Sequence, residues 1–125
     1  MQIEIRGRGV EVPDDLRRHT ERRLQKVARQ VSELARLEIE LAREHNPRVA
    51  DHEVAEATLY LKGATLRAKD ASPQMLHSLN LVVDELARQV KRYRVGRLRR
   101  RETRAALAQA ASTPAVAPTA SPAGP

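Results

Sequence analysis

The residue types best suited to acid–base or metal chemistry in this chain are four histidines, His19, His45, His52 and His77, and the carboxylates Glu38 and Glu40. Their spacing does not organise them. No two histidines stand three or four apart, the separations that put two ligands on one helix face. Glu38 and Glu40 alternate within LEIELA, which places both on one face of a strand, where such pairs are ordinarily just a solvated sheet surface. The chain has no Cys, so disulfides and thiolate metal sites are excluded. No phosphate-binding loop, nucleophile elbow or zinc pattern occurs, and Gly7-Arg8-Gly9 reads as a turn rather than a dinucleotide fingerprint. We therefore expect no catalytic residue, no metal, no cofactor and no small-molecule substrate.

The chemistry that the spacing does concentrate is cationic. VKRYRVGRLRRRETR, from Val90 to Arg104, holds eight basic residues and one acid. Counted from Leu86, nine Lys/Arg face one Asp/Glu, a local charge of +8 in a chain whose total is +7, so the remainder is nearly neutral. Nineteen of the 23 basic residues are Arg, whose planar fork grips phosphate through two hydrogen bonds. A helix face built for structure would intersperse acids as i,i+4 partners, and this one does not. Such a density of like charge calls for a polyanion, and nucleic acid is the commonest one inside cells. More cations stand on the first helix (Arg18, Arg22, Arg23, Lys26, Arg29) and on a hairpin (Lys62, Arg67, Lys69). The only aromatics are Tyr60 and Tyr93, which leaves little for base stacking. Recognition of a phosphate surface and its shape is expected, as in double-stranded RNA binding domains.

The elements that must carry these cations follow from the apolar pattern. Gln2 to Arg6 alternates, with Ile3 and Ile5 to one side, and Gly7 and Gly9 mark a turn. Pro13, Asp14 and Asp15 suit a helix start, and Leu16, Thr20, Leu24, Val27 and Val31 predict a helix from about Pro13 to Val31. Leu37, Ile39 and Leu41 predict a second strand. Ala55, Ala57, Leu59 and Leu61 predict a third, and Leu66 and Ala68 a fourth from Ala64 to Asp70. Ser72-Pro73 opens a last helix with an apolar stripe of Leu76, Leu79, Val83, Leu86, Val90 and Tyr93, beyond which the helix turns basic on every side to Arg104. Residues 105–125, rich in Ala and Pro, read as a disordered tail behind a 1–104 domain.

This order, β-α-β-β-β-α, predicts an α+β fold with a four-stranded sheet. The first two strands should be parallel through a right-handed crossover, the rest antiparallel, and both helices should cover one face. No window approaches the length of a membrane span, and MQIEIRGRGVEVP lacks the apolar run of a signal peptide, so no membrane association and a cytoplasmic location are expected.

IEIRGRGVEVPDDLRRHTERRLQKV resembles the opening of the ribosome hibernation-promoting factor and ribosome-associated inhibitor A family. LRAKDASPQMLHSLNLVVDELARQVKRYR resembles its last strand and second helix, VVDELARQVKRYR being the most specific part. The resemblance covers roughly residues 1–101. It implies a fold similar to a double-stranded RNA binding domain with an added strand. It also implies binding to the small ribosomal subunit and its rRNA, in the channel for mRNA and tRNA. There the protein would block translation sterically in stationary phase or stress. By position, the implied rRNA contacts are Arg22, Arg23 and Lys26; Lys62, Arg67 and Lys69; and Arg88, Lys91, Arg92, Arg94 and Arg97. The resemblance implies a short form without the dimerising second domain of longer members, monomeric off the ribosome. Two other classes stay open: a regulator that binds another protein, such as a sigma factor, and a nonspecific RNA chaperone.

Overall fold

Ile3 and Ile5 alternate with Glu4 and Arg6, and the resulting strand β1 (Gln2–Arg8) pairs in parallel with β2 (Arg36–Arg43). The computed structural model describes residues 1–112, and the chain divides at Lys91/Arg92 into two units. In the first unit, β3 (Glu53–Leu61) lies antiparallel to β2, and β4 (Ala64–Ser72) antiparallel to β3, giving the sheet order β1-β2-β3-β4. Helices α1 (Asp14–Arg23) and α2 (Gln25–Ala28) fall between β1 and β2, and α3 (Met75–Ser112) follows β4. The α+β fold is thus the one expected, with the parallel pair joined through the helices.

The register explains the core. Ile5, Ile39, Ala57 and Ala68 stand in one row across the four strands, and all four are buried. Ala55, Ala57 and Ala68 supply little volume, so larger side chains on the helices fill the space: Leu24, Val27, Leu79, Val82, Leu86 and Val90 belong to the same buried cluster. Each fully buried Leu contributes roughly 1.5–3 kcal/mol. Every one of these residues comes from one face of the sheet and from the helices over it.

Several boundaries differ from expectation. β1 continues through Gly7 and Arg8, because Gly7 can approach the Val10 carbonyl where a Cβ would lie 1.9 Å from the oxygen. The turn falls instead at Gly9, with φ +72. The first helix breaks at Leu24 (ψ −7) and ends at Ala28 rather than Val31. Leu24 and Val27 are both buried at a spacing of three, which suits a tighter turn there. Ser72 closes β4 rather than opening the helix, although its hydroxyl accepts from the Gln74 N–H at 3.2 Å. On α3 Leu79, Val83, Leu86 and Val90 are buried as expected, but the stripe begins at Met75 rather than Leu76. Leu76 is 46% exposed, while Met75 packs on the core. Met75 and Leu79, four apart, share the inward face. The helix also continues to Ser112, so residues 105–112 are helical rather than tail. Ala-rich AALAQAAS has high intrinsic helix propensity. The rest of the expected tail, 113–125, lies outside the described residues.

Candidate nucleic-acid interface

Polar rungs fix the helices that carry the first cations. His19 Nε2 donates to Asn80 Oδ1 at 3.2 Å, and Arg23 Nη2 donates to Asp84 Oδ1 at 2.7 Å. At the sheet end of α3 a buried hydroxyl pair closes the packing. Ser78 Oγ donates to the Glu53 carbonyl at 2.6 Å and lies 2.7 Å from Ser72 Oγ. Glu53, buried at the start of β3, takes a hydrogen bond from Arg43 Nε at 2.6 Å.

On this frame the expected site residues fall into three groups. Arg22 and Arg23 on α1, Lys26 on α2, and Arg88 and Lys91 on α3 are exposed on the helical side of the first unit. Two of the five already answer an acid. Arg23 is held by Asp84, and Arg88 donates through Nε and Nη2 to Glu85 Oε2 at 3.0 and 2.8 Å. Among the described residues Arg22, Lys26 and Lys91 make no ion pair, which leaves their charge for a ligand.

The hairpin cations go elsewhere. Leu66 turns towards the core and Ala68 is buried in it, so strand alternation sends Arg67 and Lys69 to the face without helices. Lys62 stands at the β3–β4 turn, beside Gly63 at φ +75. The open face is a mixed field. Glu40 lies 3.7 and 3.8 Å from Arg6 and Arg8, Arg36 lies 3.8 Å from Glu38, and Lys69 lies 4.0 Å from Glu56. Arg36 also sits over the Tyr60 ring at 4.6 Å, which occupies the one aromatic of the sheet. Sequence alternation predicted this wet face. The same alternation sets Arg67 and Lys69 outward, and the structure agrees: they stand on the opposite side of the sheet from Arg22, Lys26 and Lys91.

The third group lies in the second unit. Arg92 and Arg94 are exposed, and Arg97, half-buried, donates from Nη1 to the Tyr93 hydroxyl at 2.8 Å. Arg99, Arg100, Arg101 and Arg104 are exposed on the same helix and were absent from the expected contacts. The signal that finds them is spacing. At about 100° per residue, Arg94, Arg97, Arg100, Arg101 and Arg104 fall within a sector of about 120°. The segment thus carries a stripe, with Arg92 and Arg99 on the far side. Val95 and Leu98, 42% and 56% exposed, fall outside it.

Among the described residues no three His, Cys, Asp or Glu side chains come together as a metal site requires, and no helix is long and apolar enough to cross a membrane. What the arrangement can do chemically is hold phosphate.

Comparison with known proteins bears on which polyanion such a surface would suit. The family described as "Sigma 54 modulation protein / S30EA ribosomal protein" matches residues 3–97. A ribosome hibernation promotion factor of Picosynechococcus sp. is 30% identical over 95 residues, 75% of this chain and 49% of the relative. One from Lactococcus lactis subsp. cremoris is 31% identical over 96 residues, 75% of this chain and 50% of the relative. The chain thus spans about half the length of the curated relatives it matches. Among solved structures, a ribosomal subunit interface protein from Coxiella burnetii superposes with a TM-score of 0.65 at 23% identity, covering 76% of this chain and 99% of that one. The N-terminal domain of Thermus thermophilus Protein Y gives 0.63 at 26% identity, covering 74% and 99%.

Proposed function

The chain belongs to the Sigma 54 modulation protein / S30EA ribosomal protein family, and from that premise we propose that it is a ribosome hibernation factor. It binds the small ribosomal subunit in the channel for mRNA and tRNA, chiefly through rRNA phosphates. By occupying the channel it blocks translation in stationary phase or stress. Inhibition is steric, so no residue is catalytic, and the protein works in the cytoplasm.

The observation that carries this reading is the distribution of cations. Arg22, Lys26 and Lys91 lie on the helical side of the first unit, and Arg67 and Lys69 on the other side of the same sheet. A domain that rested on a flat polyanion would use one side only. A domain lodged in an rRNA-walled channel meets phosphate on several, and Arg92, Arg94 and Arg97 add to the same chemistry. The shortage of aromatics supports phosphate contact over base stacking.

Sedimentation of extracts from growing and resting cells tests the proposal. The protein should travel with small subunits or whole ribosomes in resting cells. Recovery only in the ribosome-free fractions would contradict it and favour the protein-binding regulator; recovery spread over all RNA-containing fractions would favour the chaperone.

A further inference from the structure

The match to the family ends at residue 97, yet the arginine stripe does not. Arg94, Arg97, Arg101 and Arg104 recur at spacings of three, four and three, and Arg100 lies between two of them on the same side. All belong to α3 within the second unit. Across the described residues 92–112 there are seven Arg and one acid, Glu102, which falls outside the stripe. Opposite the stripe stand the uncharged Val95 and Ala106 together with Arg92, Arg99 and Glu102, a net charge of +1 against +5 on the stripe.

We propose that this stripe is a binding site for double-stranded RNA, in which five guanidiniums track the phosphates of one strand. The dimensions agree. Arg94 to Arg104 spans about 15 Å of helix. A duplex presents a dense row of phosphates down each strand, so a stripe of that length meets several of them. A duplex holds that row rigid, whereas a single strand must be ordered on binding. Proteins that hold single strands add stacking aromatics to their cations, and no aromatic occurs after Tyr93. The imbalance of five arginines on one side against Arg92 and Arg99 with Glu102 on the other also distinguishes this from a general cationic tail, which would attract polyanions equally from all directions. The inference rests on residues 94–104 alone and does not depend on the ribosomal reading.

The test compares neighbours that carry the same charge on different sides. Arg99 lies across the helix from the stripe and Arg100 within it. Full-length protein is titrated with a 20-base-pair RNA duplex of arbitrary sequence and with unstructured oligo(U), over a salt series. The triple variant Arg100→Gln/Arg101→Gln/Arg104→Gln should lose more than tenfold in duplex affinity. Its log–log salt slope should flatten by about 2 to 3, at roughly 0.9 per phosphate. The matching triple Arg→Lys variant should retain most of the slope, which separates loss of charge from loss of helix. Arg99→Gln should lose less than Arg100→Gln. Equal losses for Arg99→Gln and Arg100→Gln would overturn the stripe, as would an unchanged triple Gln variant. Tighter binding of oligo(U) than of duplex would overturn the ligand. So would displacement of the duplex by phosphatidylglycerol vesicles at matched anion concentration, in favour of a lipid surface. No ribosome is present in this assay, so its failure leaves the hibernation reading untouched, and failure of the sedimentation experiment leaves this one.

Discussion

Arg23 donates from Nη2 to Asp84 Oδ1 at 2.7 Å, one helical turn beyond the rung where His19 donates to Asn80 at 3.2 Å. Residues four apart on α1 thus meet residues four apart on α3, and in the first unit these helices run side by side in the same direction. Arg23 is therefore divided between two tasks. Part of its charge is answered within the protein before any phosphate arrives.

Replacing the partner should shift that balance. Asp84→Asn removes an acid from the helical side and releases the Arg23 guanidinium. We expect binding to RNA to tighten several-fold at low salt, with the gain shrinking as screening rises. The salt slope should steepen by about one contact. The pair is exposed on both sides, so the stability cost should be only about 0.2–1 kcal/mol. Titration of wild type and variant with small subunits at two salt concentrations checks this; weaker binding by the variant would refute it.

The phase of α3 can be tested on two leucines three residues apart. Leu79 is buried and Leu76 is 46% exposed. Leu79→Ala should cost about 2–5 kcal/mol, and Leu76→Ala about 0.5 kcal/mol or less. Urea unfolding monitored by circular dichroism measures both, and similar costs would mean that the helix is rotated from the orientation described.

Ser78 is fully buried, bonded to the Glu53 carbonyl and beside Ser72 Oγ. Ser78→Ala removes a donor where water cannot readily replace it, and should cost roughly 1–3 kcal/mol. A midpoint of urea unfolding within error of wild type would show that the bond contributes nothing.

Much of this arrangement was legible beforehand, and the physical reasons are specific. Strand alternation placed Ile5, Ile39 and Ala57 inward because a period of two has only two phases. The 3.6 period of a helix is less forgiving. Leu76 and Met75 are adjacent and both apolar, and only the packing of α3 on the sheet decides which one turns in. The buried Ser72, Ser78 and Glu53 were not legible, since Ser and Glu ordinarily read as surface and become core only through partners distant in sequence: Ser78 through Ser72 and the Glu53 backbone carbonyl, and the Glu53 carboxylate through Arg43. The cations were legible as types but not as a surface. Arg67 and Lys69 were legible on the other face, because the alternation that buries Ala68 sends them there, but Arg23 and Arg88 were not legible as cations already held by Asp84 and Glu85. The stripe beyond Arg97 is legible in the spacing of its arginines, which net charge alone does not show.

Gly96 interrupts the Arg-rich helix, and a Cβ built there would meet only the Arg100 guanidinium, at an ordinary 3.8 Å. Gly96→Ala should therefore stabilise the helix by roughly 0.5–1 kcal/mol without a clash. The expected outcome is a stronger helical signal at 222 nm, most visible on warming. An unchanged or weaker signal would contradict the geometry at this position.

The central claim is that this protein holds the small ribosomal subunit by its phosphates, with Arg92, Arg94 and Arg97 among the contacts. Its most direct test is the affinity for purified small subunits across a salt series, for wild type and for the triple variant Arg92→Ala/Arg94→Ala/Arg97→Ala. The account predicts a log–log slope of roughly −0.7 to −0.9 per phosphate for wild type, and a weaker, flatter dependence for the variant by about three contacts. Unchanged affinity and slope in the triple variant would contradict it.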